Sequence, residues 1–377
     1  MKPQLVPWVQ QFTNEILPVV LLLICMFALD RTYAQQPPQQ YYTCYQVRET
    51  IEIDGQLNER AWQQAAYTSD FVDISHPTAS TPLLRTQVQV LWDTTYLYVA
   101  ARMEEPHVWA TLTQRDTLIY MDDCFELFLD PGGDGIHYGE WEWNAHNTRW
   151  DMLILHPYRV PYHAHRIDEW ETKHIRHAVH IQGTKNNPTD QDRGWSIEIA
   201  IPWTALIPLS PTARRPQRGE WWRANFMRVD WLMDVKGQHY HKRDLPSAAR
   251  FWVWSPTGAV DIHRPECWGY LQFSDAIVGT AAAAEQIHPA ADIHWALWNL
   301  HLKQLDYYKK HRQYATSLDQ IDYHNNKQYN YDINFEMYSS GRRYEILATS
   351  PVSQQMWSID EGGQLQPVAL DNYPHKR

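Results

Sequence analysis

Through the middle of the chain, apolar residues recur at a period of two. In Trp195–Ile201 (WSIEIAI), Trp195, Ile197, Ile199 and Ile201 share one face while Ser196 and Glu198 take the other, the pattern of a half-buried β-strand. Val88–Trp92 and Tyr96–Met103 flank Asp93-Thr94-Thr95 and read as a hairpin. Asp123–Leu129 (DCFELFL) is a strand halted by Asp130-Pro131-Gly132-Gly133, Trp222–Val229 is another, and Gly269–Phe273 closes the set. Short β-type runs divided by turn residues, without helical periods between them, predict an all-β class and a two-sheet β-sandwich.

The period changes after the last of these strands. An Ala-rich connector, Thr280–Ala284, leads to a segment from about Pro289 to Ala315 in which Trp295, Trp298, Leu302 and Leu305 recur at spacings of three and four. That spacing marks a helix with one apolar face, which must pack on something. Ile333–Tyr338, Arg343–Ala348 and Gln355–Ile359 read as strands, the last ahead of a Glu361-Gly362-Gly363 turn. The expectation is a small α+β C-terminal domain over 276–377, behind a sandwich over 44–275.

At the other end, Ile16–Leu29 (ILPVVLLLICMFAL) is continuously apolar apart from Pro18 and is followed by Thr32-Tyr33-Ala34, then Gln35–Gln40 (QQPPQQ). The run is shorter than the ~20 residues of a spanning helix and ends near a small residue, so 1–34 reads as a signal peptide and 35–43 as a linker. A retained anchor is the alternative, because Lys2 is the only basic residue ahead of the run. Ile24 stands before Cys25 where lipid attachment asks for a small residue. The expected location is exported, whether periplasmic, cell-surface or extracellular, with no membrane span in the mature chain.

Composition narrows the function. With 44% hydrophobic and 20% charged residues, the bulk of the 377-residue chain is globular. A formal net charge of -11, without any Lys/Arg run, excludes nucleic acid as a partner, since phosphate binding needs a clustered basic surface. The 19 Trp and 22 Tyr residues are the departure from average; most such rings fill cores, and a few can stack on ligands. Export would leave Cys44, Cys124 and Cys267, one pair and one spare in an oxidising compartment. Cys44 precedes the first strand and Cys267 the last, so a Cys44–Cys267 disulfide is expected to close the domain, with Cys124 a small buried hydrophobe in its strand.

Five motifs then occur in order: Ile53-Asp54-Gly55 with Trp62 shortly after; Val90-Leu91-Trp92-Asp93 with Tyr96–Ala101; Asp123–Pro131; Trp195–Trp203; and Pro265-Glu266-Cys267-Trp268-Gly269. Over about Val47–Phe273 the chain resembles the family 9 carbohydrate-binding modules. The resemblance implies a β-sandwich that holds sugar ends between two Trp faces, in proteins attached to polysaccharide-degrading enzymes. One family ring lies three residues before the Asp of the Asp-x-x-Glu strand, which here is Tyr120; the other precedes the final Pro-x-x-aromatic-Gly, where Ile262 stands beside His263. One ring is kept as Tyr and the other is replaced.

The remaining ligand-face candidates come from alternation. In Tyr138–Asn144 (YGEWEWN), Glu140, Glu142 and Asn144 share one face and Trp141 and Trp143 the other. Glu142 and Asn144 are the expected hydrogen-bonding groups, and Trp252 and Trp254 of Phe251–Pro256 the expected stacking surface. The reading is an exported, non-catalytic protein that binds an oligo- or polysaccharide, accessory to polysaccharide degradation. A glycoside hydrolase is the alternative: Glu140 and Glu142 would stand ~6.6 Å apart on a strand, within an inverting spacing, although the sequence displays no device for raising one pKa. No cofactor is expected unless calcium binds Asp130 and Asp134 of the Asp130–Gly135 loop. The His163-Ala164-His165 and His239-Tyr240-His241 pairs read as solvated loop histidines.

Overall fold

The computed structural model describes residues 39–75, 82–245, 248–280, 287–323, 333–350 and 354–369. The expected signal peptide, the first four linker residues and Ala281–Ala284 lie outside the described residues.

Alternating apolar positions become strands where they were expected. The first are β1 (Tyr41–Gln46), β2 (Val72–Asp73), β3 (Thr86–Trp92), β4 (Tyr96–Glu104) and β5 (Cys124–Asp130). They are followed by β6 (Tyr138–Asn144), β7 (Arg149–Ile154), β8 (Arg166–Ile167), β9 (Arg176–Gln182) and β10 (Gly194–Pro202). Then come β11 (Trp221–Trp231), a separate hairpin β12 (Met233–Lys236) and β13 (His239–Lys242), β14 (Ala249–Val253) and β15 (Gly269–Ile277).

Hydrogen bonding runs in the order β8-β7-β6-β5-β11-β15-β1-β3-β4-β10-β9, with β14 against β11 and β2. The seam is β1, which is parallel to β15 (Cys44 opposite Phe273) and to β3 (Tyr45 opposite Leu91), with a register shift between Cys44 and Gln46. An irregularity of this kind lets a strand bend and serve two sheets. The two halves face each other across one core. Phe125, Leu127, Trp141, Trp143 and Phe226 come from one half, and Val90, Val99, Trp195, Ile197 and Ile199 from the other.

The polar side of β10 is used as well. Glu198 accepts the N–H groups of Asp54 (3.0 Å) and Gly55 (2.8 Å) and of the Trp62 indole (2.8 Å), while Ser196 donates to the Gly55 carbonyl (2.6 Å). Trp62 lies in the short helix α1 (Arg60–Gln64) and plugs a second apolar cluster with Leu91, Tyr98 and Ala200. Gly55 has φ +85° and an added Cβ would lie 2.5 Å from the His180 nitrogen, so only glycine allows this turn.

After the one-turn helix α2 (Trp203–Leu206) and the last sandwich strands, the chain forms α3 (Ala291–His311). Its four-stranded antiparallel sheet comprises β16 (Asn334–Ser339), β17 (Tyr344–Thr349), β18 (Met356–Asp360) and β19 (Leu365–Val368). The helix stops at His311 rather than Ala315 because Arg312 turns left-handed at φ +59°. Trp295, Trp298 and Leu305 are buried as the spacing implied. The sandwich and these elements lie in one compact unit. Trp298 fits against Gly135, whose added Cβ would be 2.2 Å from the ring, and Leu365 N–H bonds the Asp134 carbonyl at 3.0 Å.

The Cys44–Cys267 disulfide is not formed; Cys44, Cys124 and Cys267 are free, buried thiols. Register explains it. Cys44 is opposite Phe273, and Cys267 lies beyond the start of β15 at Gly269, a strand distance of more than ~13 Å where a disulfide tolerates a Cα separation of ~7 Å at most. Cys267 instead points its sulfur at the Thr257 carbonyl.

Candidate functional site

Alternation that sends Phe125, Leu127, Trp141 and Trp143 into the core sends their neighbours to the outer face of the same half. There Glu126 of β5 lies directly opposite Glu142 of β6, and Glu140, two residues along, shares their side. A cavity of about 250 Å³ opens over this face. Glu126, Glu140 and Glu142 form its floor; Tyr120, Trp150, Tyr158, Phe251, Ile262 and His263 stand around it.

Each wall has a structural reason. Tyr120 sits in a 3₁₀ turn, Ile119–Met121, just ahead of β5, and remains 37% exposed. Its ring stacks on Trp150 (centroids 6.4 Å apart, planes 29°), and its backbone N–H donates to Glu142 Oε2 at 2.8 Å. Glu142 therefore positions the ring besides lining the floor. Opposite, His263 hydrogen-bonds the Tyr138 hydroxyl through Nδ1 (3.0 Å) and packs edge-on against Tyr158 (4.5 Å). Arg166 at the rim donates to the Tyr158 hydroxyl (3.1 Å) and is ion-paired with Asp168 (2.8 Å).

Electrostatically the floor is unusual. The three glutamates are each 4% or less exposed. Burial raises the Glu126 carboxyl to about 8. Glu140 and Glu142 are pushed well above the ordinary range, first by burial and then by neighbouring carboxylates. Cys124, also raised by burial, donates its S–H to Glu126 Oε1 at 3.3 Å. Among the described residues, Glu140 Oε2 has no hydrogen-bond partner. Its nearest basic neighbour, His263 Nε2 at 4.0 Å, is neutral, because burial and then Arg159 and Arg166 lower that imidazole to about 3. The device for raising a carboxyl pKa that the sequence did not display is thus burial on a strand face.

The structure brings Tyr120, Glu142 and the Ile262–His263 position around one cavity and places the other candidates elsewhere. Asn144 is buried beyond the pocket: its amide donates to Leu112 O (2.8 Å) and Asp122 Oδ2 (2.9 Å), and its oxygen accepts the His146 and Thr148 N–H groups. It ties down a loop. Trp252 and Trp254 belong to the inner core; Trp254 packs on Phe226 (5.3 Å) and against Gly269. The pair does share a face, but the inner one, so Phe251 is the ring that reaches the pocket. Trp150 and Met152 could have been found from the period of Arg149–Ile154, whereas Tyr158 and Arg166 lie where no local pattern marks them.

The Asp130–Gly135 loop is a docking corner. Asp130 accepts the N–H groups of Gly133 and Gly135 (both 2.8 Å), and Asp134 accepts Ile136 N–H (3.2 Å) and the Gln364 amide (3.2 Å). The oxygens expected to hold calcium are engaged in folding the loop and fastening the C-terminal sheet. Among the described residues, potential ligand groups of three or more converge at Cys124, Glu126 and Glu142 and at Glu105, Asp123 and Asp230. The latter group surrounds Arg228, which bonds Glu105 (2.5 Å) and Asp230 (3.1 Å). No histidine of the two sequence pairs joins either group; His163 packs instead against His156 (4.4 Å).

Fold and pocket together define a binding module: a β-sandwich with a small, ring-walled, acid-floored cavity on one outer face. Residues 53–217 match the family described as carbohydrate family 9 binding domain-like, and the chain carries a domain of this kind. The matched stretch contains Tyr120 and the three glutamates and stops before Ile262 and His263. Among solved structures, the chain is similar to a family 9 carbohydrate binding module from Caldicellulosiruptor kristjanssonii in complex with cellotriose (14% identity, 65% of this chain and 100% of that one, TM-score 0.40). The glucose complex of a family 9 module from that organism matches at 14% identity over 66% of this chain and 100% of that one, TM-score 0.39. A Bacteroides uniformis protein matches at 15% over 63% and 100%, TM-score 0.45. No curated protein matches the sequence.

Proposed function

We propose that the outer-face pocket binds the end of a carbohydrate chain and that the protein is an exported, non-catalytic accessory to polysaccharide degradation. The observation that carries the reading is Tyr120, held by Glu142 and stacked on Trp150 above carboxyl groups that burial keeps protonated. A ring suits the C–H face of a sugar, and a protonated carboxyl both donates to and accepts from hydroxyl groups. The cavity is at the small end of ligand sites, which favours one terminal unit over a run of several. The apolar run Ile16–Leu29 supports export.

A hydrolase reading draws on the buried glutamates, since a general acid needs a raised pKa. It also needs an ionised partner carboxylate, and burial raises all three floor groups together. Binding is therefore preferred. Titration with mono- and oligosaccharides, followed by Trp fluorescence and calorimetry, tests it: saturable binding that Tyr120→Ala abolishes supports the pocket, and absence of binding to every sugar overturns it. Release of reducing sugar that Glu142→Gln abolishes would replace it with the hydrolase.

A further inference from the structure

The floor carries more acid than a neutral sugar requires. Elsewhere in the molecule buried carboxylates meet a guanidinium or backbone N–H groups: Glu266 has Arg159 (2.5 Å) and Arg264 (3.2 Å), Asp151 has Arg149 and Arg115 (both 3.0 Å), and Glu198 has the Asp54–Gly55 turn. Among the described residues, no Lys or Arg pairs with Glu126, Glu140 or Glu142, and Glu140 Oε2 is left without any hydrogen bond. Arg166, the basic group at the rim, is already paired with Asp168 and Tyr158. Three adjacent buried acids without a cation stay protonated, at a cost to the fold that grows as pH rises, and these three line an opening to solvent.

We infer that the pocket selects a cationic sugar, an amino sugar whose ammonium group sits against Glu140 and its neighbour Glu126 while its ring lies against Tyr120. This rests on the carbohydrate reading above and deepens it. An ammonium group brings three donors, one of them for the unpartnered Glu140 Oε2. Its charge draws the neighbouring carboxyls, protonated in the ligand-free protein, into the ionised form with release of a proton. The rings of Tyr120, Trp150 and Tyr158 around the opening accept a cation or the C–H face of the attached sugar. A metal ion is the competing occupant, because Cys124, Glu126 and Glu142 place ligand atoms within 4.8 Å of one another. It is disfavoured by its surroundings: Cys124 is a protonated donor to Glu126, and the wall residues Trp150, Met152, Met227 and Phe251 offer no oxygen ligands to a hard cation.

Calorimetry on the purified protein near neutral pH, comparing glucosamine, N-acetylglucosamine and glucose and their β-linked oligomers, separates the possibilities. These sugars differ in charge at one position and little in ring shape. The expected result is that the amino sugar binds at least about 10-fold tighter than either neutral sugar, as a charge-assisted contact provides. Glu140→Gln should bring the three within about 3-fold of one another, and a urea-unfolding transition as cooperative as that of the unaltered protein shows that the variant is folded. Equal affinities in the unaltered protein would overturn the selectivity and leave the carbohydrate reading standing; absence of binding to all three would remove both. Saturation by calcium or zinc chloride alone, lost in Glu126→Gln, with no preference for the amino sugar, would assign the floor to a metal and overturn the inference.

Discussion

Replacing Glu126 by Gln should stabilise the ligand-free protein in alkaline solution and leave it nearly unchanged in acid. Burial holds the folded carboxyl protonated to about pH 8, against 4.5 when free. Between those values the unfolded chain has lost a proton that the folded chain still binds, so stability is full below the lower value and declines as pH rises through the upper one. The slope for one group is about 1.4 kcal/mol per pH step, and the interval sets a ceiling of about 5 kcal/mol. Gln reproduces the shape and donor of the protonated acid, so the variant should lack this decline. Removing one acid also eases ionisation of Glu140 and Glu142, whose carboxyls are raised partly by Glu126. Urea unfolding at pH 5 and pH 8.5 should show curves close together in acid and the variant ahead by at least ~2 kcal/mol in base. Parallel curves, with the variant offset equally at both pH values, would refute the assignment of Glu126 as a buried, proton-holding acid.

Three further outcomes follow from the packing. Trp254→Ala, which empties a core position between Phe226 and Gly269, should cost ~3–5 kcal/mol in urea unfolding, while sugar affinity of the folded protein stays unchanged. Gly135→Ala places a Cβ 2.2 Å from the Trp298 ring at φ +85°, so α3 should lose protection against limited proteolysis and amide exchange before the sandwich does. Cys44, Cys124 and Cys267 should resist alkylation in the native protein and all react in denaturant without prior reduction, because each is buried and free.

Much of the architecture was legible because the hydrophobic effect acts on local periodicity. A strand such as Trp195–Ile201 must bury one side, and Ile197 and Ile199 do lie in the core. The same logic placed Glu140 and Glu142 on one face and Trp141 and Trp143 on the other. It could not say which face turns inward at Trp252 and Trp254, since both sides of that strand are covered and only packing of β14 against β11 and β2 sets the choice. Nor could it separate Asn144 from Glu142, which share an alternation; the Asp122 and Leu112 contacts that retire Asn144 come from a loop more than twenty residues away in sequence.

By itself, the sequence determined the class of fold, the hairpins, the helix and its buried face, and the two positions, Tyr120 and Ile262, that come to flank the cavity. The elements are consequences of residue spacing, which a linear chain carries, whereas the two flanking positions rest on the resemblance to the family 9 modules. Only the tertiary structure decided that Cys44 and Cys267 stay apart, that the Asp130–Gly135 loop fastens the C-terminal sheet, and that Glu126, Glu140 and Glu142 share a buried floor. Each depends on inter-strand register and on which solvent-facing surface is later covered. A carboxyl's pKa follows from the water excluded around it, and that exclusion is made by Trp150, Tyr158 and His263, which reach the floor from separate parts of the chain.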